Sequence, residues 1–467
     1  MKKLDIRLKQ LYSSFVLKVF LHFFRAVGIG NVQERKMAKV AKSIQEKYKM
    51  KKVIASALGL MLGGTLIATT AHAEIENQFG GYWRTRFSVQ DNMSKYPGDT
   101  KFMVDTRSRI YYTAKFNENL KFVNKFEFNT TWGDSNYGKI GADGKKDFRI
   151  KNSYVQADFG NVTTKVGAFA AVFHRGLLFD DDFIGVLGSP KFGNVTPVFI
   201  WGRAKDKDFG GQDYNMDFFH GAVKVAIGET VTIGAGLTGV VGSNETVDVK
   251  DDLVVGIGQP LASTVTGQKD VGDINYVFAG IDVDVNLDPV KGWGTFVYQT
   301  GDKGGIDVDA FALAVGADAG VAHGAFYYAT GDDGSDATES TAFAPISPYV
   351  VTAEIMGAGS TIDGTFGPAS LRWGFSDIMI FNAGATLKPM ENVTLKFDGF
   401  YGALAEDNTA GNTEIGWEGD AKATIKLLEN LKADIFFAYL IAGDATNDAA
   451  GNDDDVMEGG ARLSLSF

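Results

Sequence analysis

Ala461-Arg462-Leu463-Ser464-Leu465-Ser466-Phe467 is the stretch whose reading decides the fold. Ala, Leu, Leu and Phe alternate with Arg, Ser and Ser. That period of two belongs to a strand with one apolar and one polar face. The same period recurs upstream. Over 75–89, Ile75, Phe79, Trp83, Phe87 and Val89 share one face, and Glu76, Gln78, Arg84, Arg86 and Ser88 share the other. Over 101–116, Phe102, Val104, Ile110, Tyr112, Ala114 and Phe116 oppose Lys101, Asp105, Arg107, Arg109 and Lys115. Over 121–132, Phe122, Phe126, Phe128 and Trp132 oppose Lys121, Lys125, Glu127 and Thr131. A soluble sandwich alternates too, but its strands rarely run ten or more residues in succession. The charges therefore belong in a lumen and the aromatic residues face lipid.

Composition agrees. The chain has 57 Gly, 35 Phe and 16 Tyr but only 9 Pro. After residue 73 no segment approaches the 18 apolar residues of a membrane helix. Strand centres fall at 82, 108, 126, 153, 166, 187, 198, 220, 236, 280, 295, 312, 325, 381, 397, 421, 436 and 462. This predicts an all-β transmembrane antiparallel barrel of 18 strands, with 16 as the alternative. The sixth strand, around 183–191, is weak because it holds Gly185, Gly188 and Pro190. An even strand number requires it. Short turns are expected at 117–119, 160–162, 228–229, 288–289, 389–391 and 428–430. Long external loops are expected at 133–147, 171–183, 204–213, 243–272, 331–374, 405–414 and 443–455. The phase of the strand holding Arg149, Lys151, Val155 and Ala157 is ambiguous.

The N-terminal part reads separately. Met50-Lys51-Lys52, an apolar run from Val53 to Leu66, and Ala71-His72-Ala73 have the order of a secretory signal peptide. Cleavage is expected between Ala73 and Glu74. Residues 1–49 carry twelve Lys/Arg and read as an upstream extension, with Met50 as the true start. From Glu74 onward there are 32 Lys/Arg against 54 Asp/Glu, a net charge near −22. That balance argues against nucleic-acid binding. The absence of Cys excludes disulfides, thiolate metal sites and attached haem.

Three histidines follow the signal: His174, His220 and His323. None stands in a nucleophile motif, so no enzyme, cofactor or metal site is expected. The Asp runs at 180–182, 332–336 and 453–455 read as solvated loops. The expected pore lining is Arg84, Arg86, Asp105, Arg107, Arg109, Lys125 and Glu127 on early strands, with Asp282, Asp284, Asp398, Glu418 and Asp420 on later ones. Lys165 joins the basic set, and Asp307 and Asp309 the acidic set. Basic and acidic walls facing each other would set a transverse field across a pore.

Several segments resemble the alginate-export and related porin-like outer-membrane proteins. They are Gly176-Leu177-Leu178-Phe179-Asp180-Asp181-Asp182-Phe183-Ile184-Gly185-Val186, Tyr298-Gln299-Thr300-Gly301-Asp302, Tyr328-Ala329-Thr330-Gly331-Asp332-Asp333, Ile415-Gly416-Trp417-Glu418-Gly419-Asp420 and Tyr439-Leu440-Ile441-Ala442-Gly443-Asp444. A strand ending in Phe467 likewise resembles the signal read by the barrel-assembly machinery. The resemblance implies an eighteen-stranded diffusion barrel in the outer membrane of a Gram-negative bacterium. Its partners would be membrane lipid, lipopolysaccharide, that machinery and small hydrophilic solutes. A substrate-selective channel (for a sugar, organic acid or polyuronate) and a structural barrel serving electron-transfer or adhesion partners are the alternative functions. In a wide pore the acidic loops would give a weak cation preference that fades with salt. N-terminal sequencing of the membrane-extracted protein should start at Glu74; a start at Met1 refutes both the cleavage and the internal start.

Overall fold

The structure is a computed structural model that describes residues 75–92, 100–133, 148–209, 212–250, 265–350, 353–357, 375–446 and 455–467. At 205–209, 212–215, 243–250 and 265–272 it describes the backbone only. The expected signal segment, with Ala73 and Glu74, lies outside the described residues.

Among the described residues nineteen strands follow one another: β1 (Glu76–Asp91), β2 (Lys101–Asn117), β3 (Leu120–Thr131), β4 (Phe148–Phe159), β5 (Val162–Phe173), β6 (Phe179–Pro190), β7 (Val195–Phe209), β8 (Gln212–Ile227), β9 (Val231–Lys250), β10 (Val265–Leu287), β11 (Val290–Lys303), β12 (Ile306–Ala319), β13 (Ala322–Ala329), β14 (Glu339–Ser340), β15 (Ile378–Met390), β16 (Val393–Ala403), β17 (Glu414–Lys426), β18 (Leu431–Ala442) and β19 (Val456–Ser466). β14 is a two-residue bridge lying parallel to β12. The other eighteen form the wall. Each pairs antiparallel with its sequence neighbour, and β1 pairs with β19 from Tyr82↔Ser466 to Asp91↔Met457. The sheet is a closed antiparallel barrel of eighteen strands, and every expected strand centre falls in one of them.

Outward residues are the alternating apolar ones. Phe79 is 74% exposed, and Phe102, Phe128, Ile184, Phe199, Trp417 and Ile435 are exposed as well. The ambiguous phase of β4 has a cause. Lys125 pairs with Asn152 but Phe126 with Ile150, so Lys151 is the extra residue of a bulge. Ile150 and Val155, of opposite parity, therefore both face outward and are exposed. Asp307 and Asp309 share parity with the exposed Phe311 and Val315 and so lie on the outer face. This corrects their placement in the lumen: the inward positions of β12 are Val308, Ala310, Ala312 and Ala314, all buried.

Three expected loops are largely strand. The β5–β6 connection is 174–178 rather than 171–183. β7 and β8 run to Phe209 and from Gln212, and β9 and β10 to Lys250 and from Val265. A ribbon standing clear of lipid needs no apolar face, so polar composition there does not distinguish strand from loop.

Phe467 follows β19 at the seam. Its N–H donates to Gly81 O at 3.1 Å, and Gly81 N–H donates to Phe467 O at 2.8 Å. Each such bond contributes about 1 kcal/mol net in water, and a lost one costs more in lipid. Deleting Phe467 should lower the heat-modifiable folded fraction in outer membranes, whereas Phe467→Ala, which keeps the backbone pair, should lower it less. Equal assembly of wild type and the deletion would refute this.

Candidate functional site

The lumen is not an open polar tube. Two inward-folded pieces fill much of it. The first is the outer half of the β5–β6 hairpin. β5 pairs with β4 only up to Ala168↔Ser153, and β6 pairs with β7 only up to Ile184↔Arg203. Beyond those rows, 169–173 and 179–183 pair with each other. Phe169, Phe173, Phe179 and Phe183 are buried; Phe169 packs on Phe183, the other three pack with Phe218 of β8, and the rings of Phe173 and His220 stack at 3.8 Å. At the tip His174 Nδ1 lies 2.9 Å from Asp282 Oδ2 on β10, and Thr295 Oγ1 donates to Asp282 Oδ1 at 2.7 Å. Arg175 binds Asp284 and lies 5.0 Å from the Trp293 ring centroid.

The second piece is the described part of the connection between β13 and β15, residues 330–350, 353–357 and 375–377. It docks on the hairpin tip: Tyr349 N–H donates to Gly176 O, and Ile346 N–H donates to Leu178 O. Further along it reaches β17. Glu418 Oε1 and Oε2 accept from Ile355 and Met356 N–H, each at 2.7 Å, and Asp420 Oδ2 accepts from Glu354 N–H at 3.0 Å. Phe343, Ile355, Met356 and Phe375 are completely buried. Beneath them lie Phe278, Val297, Ile378 and Ile380 of the inner wall. At the outer end Asp377 accepts from Ala405 and Glu406 N–H. Burial lifts its carboxyl above the usual carboxylate range, those two bonds oppose the shift, and Glu406 and Asp332 beside it reinforce it.

The inner face of β2–β5 keeps half-exposed polar side chains. Cations there alternate with rings. Arg109 lies 5.4 Å from Tyr82, Lys125 lies 5.1 Å from Tyr111, and Lys165 lies 5.4 Å from Tyr154. Lys121, Gln156 and Lys165 lie in one row of the sheet. Local acids offset part of this charge. Arg86 bonds Asp105 at 2.7 Å, Arg109 bonds Glu127 at 2.6 Å, and Arg107 donates to Asn129 at 2.6 Å while standing 3.7 Å from Glu127.

All twelve expected lining residues point inward, but they occupy three settings. Asp105, Arg107, Arg109 and Lys125 remain half-exposed, beside the buried Glu127. Arg84, Arg86, Glu418 and Asp420 lie at or near full burial, the last two as anchors of the 330–377 connection. Asp282 and Asp284 hold the hairpin tip, and Asp398 is held by His323 at 2.7 Å and Lys396 at 2.7 Å. Asp180–182, expected in a solvated loop, begin β6 on the inward hairpin, where Asp182 takes Lys151 and Asn152 of β4. Sequence reasoning missed the 330–377 fill. Its signal was present, since Phe343, Ile346, Val350, Ile355 and Met356 are too many apolar residues for a loop in water.

No protein-family profile and no curated protein sequence matches the chain. Solved structures do match its fold. The outer membrane protein opdK of Pseudomonas aeruginosa is 10% identical with a TM-score of 0.53, over 84% of this chain and 98% of that one. It also has a structure with vanillate. A BenF-like porin of Pseudomonas fluorescens Pf-5 is 12% identical at 0.52, over 84% and 98%. OccK9 (OpdG) of Pseudomonas aeruginosa is 13% identical at 0.51, over 84% and 99%. The chain thus has the fold of porin barrels.

Glu418→Leu would strip two buried N–H groups of their acceptor, at about 1–3 kcal/mol each. The temperature at which the barrel loses its heat-modifiable form should fall, with Glu418→Gln falling less. A Leu variant as heat-stable as wild type would show that Glu418 does not hold the connection.

Proposed function

We propose that this chain is an outer-membrane channel for passive passage of small hydrophilic solutes, and that small anions pass it most readily. The observation that carries the reading is the cation-and-ring wall of β2–β5, which stays half-exposed while the opposite side of the lumen is filled. A closed barrel with an apolar outer face suits lipid, where every backbone group must be paired within the wall. Solutes then pass between the basic wall and the inward pieces. In so narrow a path the lining outweighs the acidic mouth, which reverses the weak cation preference expected for a wide pore.

Arg107, Arg109, Lys125 and Lys165 supply charge for a carboxylate or phosphate. Tyr82, Tyr111 and Tyr154 supply flat apolar surface for a ring. Vanillate, the solute in the opdK structure, combines both features. A polyuronate, the alternative solute, would offer negative charge without an aromatic ring. Export through the 50–73 signal, insertion among lipid and lipopolysaccharide, and delivery by the barrel-assembly machinery through Phe467 complete the proposal. Within it the three histidines act as structural partners of Asp282, Thr238 and Asp398.

The test is conductance and reversal potential in planar bilayers under a salt gradient. The expected result is discrete channels with anion preference. Changing Arg107 and Arg109 to Gln should shift the reversal potential toward cations without loss of the folded form, because lumen positions tolerate polar exchange. Absence of channels would overturn the proposal, and strong cation selectivity in the unmodified protein would overturn its anion part.

A further inference from the structure

We propose that the outer half of the β5–β6 hairpin is a hinged valve with two alternative sets of partners. This rests on the channel reading. The hinge is a facing pair of glycines. Gly167 pairs with Gly185 at the rows where the hairpin leaves the wall. Gly167 has φ +126, and a Cβ there would stand 2.3 Å from Ser153 O. A Cβ on Gly185 would stand 2.1 Å from Trp201 O. Only glycine fits both the bend and the close approach of the neighbouring strands.

One set of partners is the one seen. Phe173 and Phe179 pack against Phe218 and His220, and the tip is latched by His174 to Asp282 and by Arg175 to Asp284 and Trp293. The latch holds two non-glycine residues in left-handed backbone, His174 at φ 51 and Arg175 at φ 54. Such a conformation persists only while surrounding contacts enforce it. The other set is the wall. Among the described residues the 148–152 stretch of β4 has a backbone ladder on one side only, with β3, while its Lys151 and Asn152 side chains reach Asp182 of the hairpin. Likewise the backbone of β7 beyond Arg203 pairs only with β8. Swung back, 169–173 and 179–183 would continue those ladders with their own edges. Latched, the hairpin exchanges ladder hydrogen bonds for aromatic packing and ion pairs, so each state has specific partners and the lumen is wider in the released one.

The chain has no cysteine, so a single disulfide can hold the latched state. His174 lies over Gly280; a Cβ built there is 2.7 Å from His174 Nδ1, which places the two Cβ positions near disulfide range. In a His174→Cys, Gly280→Cys protein in bilayers, oxidation should leave one low conductance level. Reduction of the same channels should bring transitions to a level at least twofold higher. Arg175→Ala and Asp284→Asn should each raise the open fraction, with the double change no greater than either. Identical currents before and after reduction of a confirmed disulfide, with Arg175→Ala unchanged, would overturn the valve while leaving the channel intact. Failure of the unmodified protein to conduct would instead remove the channel reading, and the valve with it.

Discussion

Every backbone N–H and C=O in a membrane-spanning wall must be paired within that wall, because lipid offers no partner. The eighteen antiparallel ladders and the β1–β19 seam satisfy that requirement, and most other features answer to it. With every neighbouring pair antiparallel, the seam included, the strand number is even, and each strand alternates because one face meets lipid and the other the lumen. One place where the described wall departs from full pairing is the outer half of β5 and β6. There the hairpin has found other partners, and the interior is organised around it.

The interior inverts the usual distribution of a barrel. Polar lining persists over β2–β5, while the side from β8 to β16 carries most of the buried apolar cluster. Carboxyl groups hold the β13–β15 connection at one end by accepting from backbone N–H groups. Glu418 thus replaces water for two amides that would otherwise be buried bare. The basic wall keeps its acids close, so its field is that of a few incompletely offset cations rather than of two opposed walls.

Period-two alternation made the wall legible, down to the weak β6, which parity alone required. It failed where alternation loses meaning. A single bulge at Lys151 reversed the faces of β4 midway, and no composition signals one extra residue. Extended strand at 204–209, 212–213, 243–250 and 265–272 looked like loop because water accepts either. The lining residues were legible as inward-pointing, since parity fixes direction. Whether an inward residue meets solvent or a folded segment depends on contacts far apart in sequence. Ile355 meets Glu418 63 residues later, and His174 meets Asp282 108 residues later. The apolar run from Phe343 to Met356 was the one local hint of a covered interior.

Those separations bear on how the interior is completed. The described parts of the β13–β15 connection have one footing on the hairpin tip at 176–178 and another on β17. The two footings belong to strands far apart in the chain, so both are present only once those strands stand in one cylinder. The covered interior is therefore a product of closure rather than of any single hairpin.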